Sequence, residues 1–152
     1  MLKKLIASSL LASSLIMTGC QTTPPPSDTI EMANIQQLQQ RTWILTQMGN
    51  TEIKTAPNER NIPSLQFSAD NRISGADGCN RIMGSYIVGR DTLTLSQLAT
   101  TRMACTNNST VPQQFQEALA KVTHYQVFGK TLKLLDRHGN LLLQFGSAIQ
   151  PR

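Results

Sequence analysis

The sequence has no apolar run long enough to span a bilayer, which requires about 20 consecutive apolar residues. Its best candidate, from Leu5 to Thr18, is shorter and contains several serines and threonines. The sequence also lacks a stripe of basic residues interleaved with aromatic ones, since its arginines and lysines are dispersed along the chain. The first absence argues against a transmembrane anchor, and the second argues against nucleic-acid binding.

Motifs that carry catalysis or metal binding are missing as well. The chain contains no phosphate-binding glycine loop and no nucleophile elbow, and its histidines and cysteines are not paired at zinc-ligand spacing. Cys79 and Cys105 also lack the close CxxC spacing of a redox motif. A Cys-His hydrolase, formed by Cys105 with His124 or His138, is the remaining catalytic alternative. We therefore predict no catalytic residue, no metal and no cofactor.

The start of the chain has the pattern of a lipoprotein leader. Lys3 and Lys4 precede the uncharged stretch, and the small residue Gly19 stands directly before Cys20. This order is typical of a bacterial signal peptide in which the cysteine thiol receives a diacylglycerol before cleavage. We predict that residues 1–19 are removed and that Cys20 becomes the acylated, palmitate-bearing first residue of the mature protein.

The rest of the chain divides into a tether and one domain. Residues 20–40 begin with a polar, proline-rich stretch typical of an extended tether, although the segment 30–40 also has the spacing of a short helical turn. Residues 41–148 are enough for one domain with a core. Because Gln21, and not aspartate, follows the acylated cysteine, we expect the mature protein on the periplasmic face of the outer membrane.

Two cysteines remain once Cys20 is acylated. An exported chain meets an oxidising compartment, in which paired thiols tend to form structural disulfides. We therefore predict a disulfide between Cys79 and Cys105, provided that the fold brings their Cα atoms within about 7 Å. In the chain-entropy model, a loop of this length stabilises the fold by about 3–4 kcal/mol.

Alternating apolar and polar residues predict a mainly β domain. Strand candidates bounded by turn residues are 41–48, 64–68, 72–75, 82–88, 92–96, 125–128, 130–135 and 141–145. One segment differs, because the apolar residues of 112–122 recur at helical spacing, with Thr110 as the predicted N-cap. The predicted fold is a compact antiparallel sheet or partly closed barrel with one packed α-helix.

Two cysteine-containing motifs resemble a known family. The first is Gly75-Ala76-Asp77-Gly78-Cys79-Asn80-Arg81, followed by Gly84 and Tyr86, and the second is Thr101-Arg102-Met103-Ala104-Cys105 before the predicted helix. In order and spacing they resemble the META domain, the family that includes the HslJ-type heat-shock lipoproteins, over about residues 43–145. The resemblance implies a mostly antiparallel β fold with one helix, loose links to envelope stress and no established reaction.

The following motif residues are predicted to have structural roles: Gly78, Asn80, Arg81, Thr101, Arg102 and Met103. Gly78 permits a positive φ in a tight turn, and Asn80 can hold that turn by bonding nearby backbone. Thr101, Met103 and the two cysteines are predicted to fill a small core. A ligand-facing surface is the alternative, since loops on a rigid β scaffold are common binding sites.

These observations predict a non-enzymatic envelope lipoprotein that binds an envelope protein, a lipid or a cell-wall component. The alternative is a periplasmic inhibitor, for example of lysozyme, which would plug an active site with an exposed loop at 51–63 or 106–111. A hydrolase is the less favoured third interpretation. The membrane is expected as a partner through the N-terminal lipid, and nucleic acid is not.

Overall fold

The computed structural model describes residues 26–56, 59–105 and 109–147, together with Gly19 and Pro24. Cys20 lies outside these residues. The described chain forms nine strands and two helices. In chain order these are α1 (Ser27–Gln39), β1 (Thr42–Met48), β2 (Thr51–Glu52), β3 (Ser64–Phe67), β4 (Arg72–Ala76), β5 (Arg81–Val88), β6 (Leu93–Thr100), α2 (Val111–Leu119), β7 (His124–Phe128), β8 (Thr131–Leu135) and β9 (Leu141–Ser147).

All nine strands belong to one antiparallel sheet that curls into a half-barrel. The strand order is β6-β5-β4-β3-β1-β9-β8-β7, and the short β2 pairs with β1 outside this path. The strands from β3 to β6 and from β7 to β9 pair with their neighbours in sequence, whereas β1 lies in the middle and pairs with both β3 and β9. The prediction of a mainly β, partly closed antiparallel sheet is therefore confirmed.

The two ends of the sheet approach each other where β6 and β7 begin. Thr92 forms an isolated bridge with His124, and the Leu93 N–H donates to the Thr123 carbonyl over 3.0 Å. The Tyr125 N–H also donates to the Asp91 carbonyl over 2.9 Å. These bonds fasten the half-barrel at one corner and leave the remainder of β6 as an edge strand.

The structure contains two helices in its described part, whereas the sequence pattern predicts one packed helix. The additional helix, α1, lies within residues 20–40, contacts β3 and β7, and carries the fully buried Leu38. The indole N–H of Trp43 donates to the Leu38 carbonyl over 2.9 Å, which joins the end of α1 to β1. The packed structure therefore begins before residue 41, inside the segment predicted as tether.

Helix α2 overlaps the segment 112–122, in which the sequence predicts a helix, and it contacts β9. Its buried residues Phe115 and Leu119 are one turn apart, and the Phe115 ring meets the Phe145 ring edge-on with centroids 6.1 Å apart. Thr110 occupies the N-cap position but makes no side-chain cap bond; instead the Ser109 hydroxyl accepts the Val111 N–H over 3.2 Å. Thr110 is therefore the N-cap residue, as predicted, but its side chain does not cap the helix.

The core is continuous and is drawn from both helices and from all strands except β2. Its largest fully buried side chains are Trp43, Tyr86, Phe67, Phe115 and Phe145. Within the described residues, neither helix is both long enough and apolar enough to cross a bilayer.

Strand β6 extends to Thr100, beyond the predicted end at residue 96, and it contains a bulge. The pairing with β5 shifts between Met83 and Ser85, and Gln97 adopts a positive φ of 53° at this point. Gly84 lies opposite, where an added Cβ would stand 2.9 Å from the Leu98 Cδ2 atom. A bulge interrupts the regular apolar alternation, so the pattern predicted only the first half of the strand.

Candidate functional site

The first motif forms the turn between β4 and β5, and the buried Asp77 side chain holds it. Asp77 Oδ1 accepts the backbone N–H groups of Cys79 and Asn80 over 2.9 and 2.7 Å. Gly78 has a φ of +102°, a conformation that glycine adopts without steric cost. Asp77 is completely buried, so this turn is an internal part of the fold.

The second motif is bonded alongside the first. The Asn80 side-chain oxygen accepts the Met103 N–H over 2.8 Å, so Asn80 bonds a distant segment rather than the nearby backbone that we predicted. The Thr101 hydroxyl accepts the Arg81 N–H over 2.9 Å, and the Thr101 N–H donates to the Arg81 carbonyl over 3.0 Å. These bonds fix residues 101–103 against the start of β5.

A disulfide between Cys79 and Cys105 closes this arrangement, with the two Cα atoms 5.8 Å apart. Cys79 is buried and Cys105 is exposed. Asn61 adds a further link, because its side-chain amide donates to the Cys79 carbonyl over 2.7 Å. The segment 59–62, the β4–β5 turn and the second motif therefore form one cross-linked unit.

Helix α2 is attached to the same unit. The side-chain amide of Gln116 donates to Asp77 Oδ2 over 2.5 Å, across 39 positions of sequence. Asp77 thus receives hydrogen bonds from two backbone groups and from a helix. Through these bonds Asp77 joins the first motif to helix α2.

Several motif side chains lie at the surface. The prediction that Thr101, Met103 and the two cysteines fill a small core holds for the buried Cys79 alone, since Thr101 and Cys105 are exposed and Met103 is 55% exposed. Arg81 and Arg102 are exposed too. In the described part of the chain the ion pair found joins Arg72 to Asp70, and it does not involve these two arginines.

Three adjoining hollows run along the exposed face of β4 and β5 towards the disulfide, and we name them together the outer groove. The first, of about 590 Å³, is lined by Arg72, Ser74, Met83 and Gln97, among others. The second, of about 470 Å³, shares Ser74 and Met83 and adds Arg81, Glu59 and Asn61. The third, of about 380 Å³, shares Glu59 and Asn61 and adds Met103 and Cys105.

Side chains alternate between the two faces of the sheet along each strand, which explains why this face is exposed. Ser74 pairs with Met83, and Met83 pairs with Ala99, so the three form a row across β4, β5 and β6. All three are exposed, whereas their neighbours Ile73 and Ile82 are buried in the core. Small residues on both sides of Met83 leave its side chain standing 60% exposed above the groove.

The two histidines lie elsewhere, in a hollow of about 370 Å³ beside the β6–β7 corner. His124 Nδ1 lies 2.9 Å from the Thr123 hydroxyl, and the Arg137 side chain donates to His138 Nε2 over 3.0 Å. Burial raises the pKa of the adjacent Tyr125 to about 12. The lining of this hollow includes neither Cys79 nor Cys105, which are joined to each other in the disulfide.

The described residues contain no cluster of side chains that could bind a metal ion. Within 26–56, 59–105 and 109–147, no three His, Cys, Asp or Glu side chains are placed to share an ion. The carboxyl group of Asp136 is instead engaged in its own turn. Hydrogen bonds, first from the Asn140 side chain and then from backbone N–H groups, lower its pKa.

Comparison with known families identifies the fold. The family model described as "META domain" matches residues 36–149, which is three quarters of the chain. The chain belongs to the META domain family. Its two cysteine motifs are the segments that form the cross-linked unit described above. No functionally curated protein matches this META domain.

Solved structures agree with this fold. A protein from Burkholderia xenovorans, solved by NMR, superposes with a TM-score of 0.60 at 22% identity, covering 92% of this chain and all of that one. A DUF4847 family protein from Bacteroides vulgatus gives a TM-score of 0.54 at 20% identity, covering 75% of this chain and 96% of the other. At these identities the similarity establishes the fold alone.

Proposed function

We propose that this META domain is a non-enzymatic binding module of the bacterial envelope, and that it recognises its partner through the outer groove. One observation carries the proposal. The side chains of Asp77 and Asn80 are engaged in hydrogen bonds within the two motifs, whereas Met83, Met103 and Arg81 are exposed along the outer groove. The motif therefore supplies a rigid platform, and the exposed side chains supply the contact surface.

The chemistry of the groove favours a macromolecular partner. Sites for small molecules are concave and bury most of the ligand, whereas these hollows adjoin one another along an exposed sheet face. Methionine side chains are flexible and polarizable, and they are frequent at surfaces that bind protein partners. Arg81 adds a planar donor group able to bind a carboxylate in bidentate fashion. We expect an envelope protein as the partner.

Envelope placement rests on the lipoprotein leader. The proposed mature protein begins at acylated Cys20 and stands on the periplasmic face of the outer membrane, in the setting of an envelope stress response. Only six residues, from 21 to 26, would link the lipid to α1. The binding module would then operate close to the membrane surface.

Metabolic labelling with a fatty-acid probe tests the anchor. We expect the probe to label the wild-type protein and the label to disappear in Cys20→Ala, because the probe requires the cysteine thiol. Cys105→Ala serves as the matched control and should retain the label. Labelling that persists in Cys20→Ala would contradict the proposed anchor.

Affinity capture from intact envelopes, followed by mass spectrometry, tests the groove. We expect Met83→Glu to reduce recovery of the partner at least about tenfold, because a charge placed in an apolar contact must be desolvated. Met32→Glu is the matched control, since Met32 is 62% exposed on α1 and Met83 is 60% exposed. Equal recovery with both variants would remove the groove from the proposal.

Two other outcomes would replace the proposal altogether. Inhibition of lysozyme by the purified protein, abolished by changes at 59–62, would favour the inhibitor alternative. Loss of all cellular function in a folded, normally abundant His124→Ala or His138→Ala variant would favour a catalytic one. Thermal melting and abundance measurements on each variant separate these results from simple unfolding.

A further inference from the structure

The most exposed large apolar side chain of the described residues is Phe128, at 87%. It ends β7 and pairs with Thr131 across a two-residue turn formed by Gly129 and Lys130. Gly129 has a φ of +57°, as the first position of a type II′ hairpin turn requires. The phenyl ring thus sits beside a tight turn at the end of a hairpin and packs little against its own domain.

Positive charge surrounds this turn. Lys130 follows Gly129 directly and is exposed, and Lys133 is exposed on the next strand. The Arg41 guanidinium donates to the Gly129 carbonyl and lies 5.9 Å from the centre of the Trp43 ring, so its position is fixed. None of these cations takes part in an ion pair with a carboxylate of the described residues.

Helix α1 carries acidic side chains in its N-terminal half, away from the hairpin turn. Asp28 and Glu31 belong to its first turns, whereas Arg41 follows its C-terminal end. Glu31 lies close enough to raise the pKa of Tyr125, at the start of β7, and Phe128 is at the opposite end of that strand. The hairpin turn is therefore the basic end of this face.

The predicted lipid places a membrane within reach of the same face. An extended chain spans at most about 3.6 Å per residue, so the six residues from 21 to 26 cover about 20 Å. They lead into α1, which itself contacts β7 and is about 20 Å long. A bilayer holding an acylated Cys20 would lie near the α1–β7 side of the domain.

We propose that the hairpin turn Phe128–Lys130, together with Arg41, binds the anionic surface of the membrane that holds the lipid anchor. The aromatic ring enters the headgroup region, where amphipathic and aromatic side chains are favoured. Arg41 and Lys130 contact lipid phosphates, and each such cation contributes to binding that weakens with salt. This contact orients the domain on the membrane, and it rests on the anchor of the proposed function.

Fluorescence of a Phe128→Trp variant tests the contact. The mature acylated protein is reconstituted in vesicles of phosphatidylethanolamine with phosphatidylglycerol, and in parallel in phosphatidylcholine vesicles. In the anionic vesicles we expect the indole at position 128 to shift its emission to shorter wavelength and to be quenched by lipids brominated in the acyl chain. Protection from acrylamide should rise severalfold, and added salt or Lys130→Gln should reverse it.

Ile87→Trp is the matched control, because Ile87 is 71% exposed on β5, away from the turn. Its indole should remain accessible to acrylamide in both kinds of vesicle. Trp43 is completely buried in both variants and contributes a constant background. Both substitutions replace exposed side chains, so neither is expected to disturb folding.

Three results would overturn the inference. An indole at 128 that is equally quenched by acrylamide in both vesicles excludes the membrane contact and leaves the anchor and groove intact. Protection that depends on protein density and not on lipid charge indicates pairing of β7 edges between two copies. If Cys20 carries no acyl group, nothing holds a membrane near the hairpin turn, and the inference fails together with the anchor.

Discussion

Replacing Phe115 with alanine is expected to lower the free energy of unfolding by about 3–5 kcal/mol. Phe115 is fully buried, and it joins α2 to β9 through its edge-on contact with Phe145. The substitution removes apolar contacts and leaves a cavity between the helix and the sheet. Chemical denaturation of both proteins measures the difference.

Phe128→Ala is the matched control for this prediction. It removes the same atoms from a side chain that is 87% exposed, so stability should change by no more than about 0.5 kcal/mol. Similar losses for Phe115→Ala and Phe128→Ala would mean that α2 does not pack against the sheet as described. A loss confined to Phe115→Ala supports the helix as part of the core.

Replacing Asp77 with alanine is expected to lower the free energy of unfolding by about 3–4 kcal/mol, the sum of three lost hydrogen bonds. The change removes the shared acceptor of the Cys79 and Asn80 N–H groups and of the Gln116 side chain. A typical hydrogen bond contributes about 0.5–1.5 kcal/mol net, and a buried donor left without an acceptor costs about 1–3 kcal/mol. Thermal and denaturant unfolding should show the loss even with the disulfide intact.

Two controls separate the acceptor role of Asp77 from a general effect of the substitution. Asp77→Asn keeps an oxygen for the two backbone donors, and a rotated Gln116 amide can accept from the new amide, so most stability should remain. Asp70→Ala removes an exposed carboxyl group whose ion pair with Arg72 contributes at most about 1 kcal/mol. If Asp77→Ala melted like Asp70→Ala, the network at Asp77 would not stabilise the fold.

Local pattern predicted the hairpins and α2 because their signals are short-range. The alternation of Leu65 and Phe67 and the turn at 70–71 are readable within a few residues, and Asn71 indeed has a φ of 63°. Helix α1 was not predicted as a packed element, because its glutamine-rich sequence has little amphipathic pattern and only Leu38 is fully buried. Its position depends on tertiary contacts, which local periodicity does not contain.

The candidate site was harder to predict for the same reason. Asp77 has the sequence signature of an ordinary turn residue, and nothing near it reveals Gln116, its partner 39 positions later. Met103 was predicted to lie in a small core together with Thr101 and the two cysteines. Its orientation is set instead by its backbone N–H, which Asn80 holds, so that the side chain remains at the surface.

The central place of β1 in the sheet has a consequence for the order of assembly. This strand, near the start of the domain, pairs with β9, near its end, as in the pair Trp43 and Ser147. Such a pairing closes a loop of about a hundred residues, which slows folding relative to a chain of local hairpins. A chain still lacking residues 141–147 has no strand to join the β7–β8 hairpin to β1. The complete sheet therefore forms only after the last strand has been synthesised, and until then the β3–β6 strands and the β7–β8 hairpin lack the strand that joins them through β1.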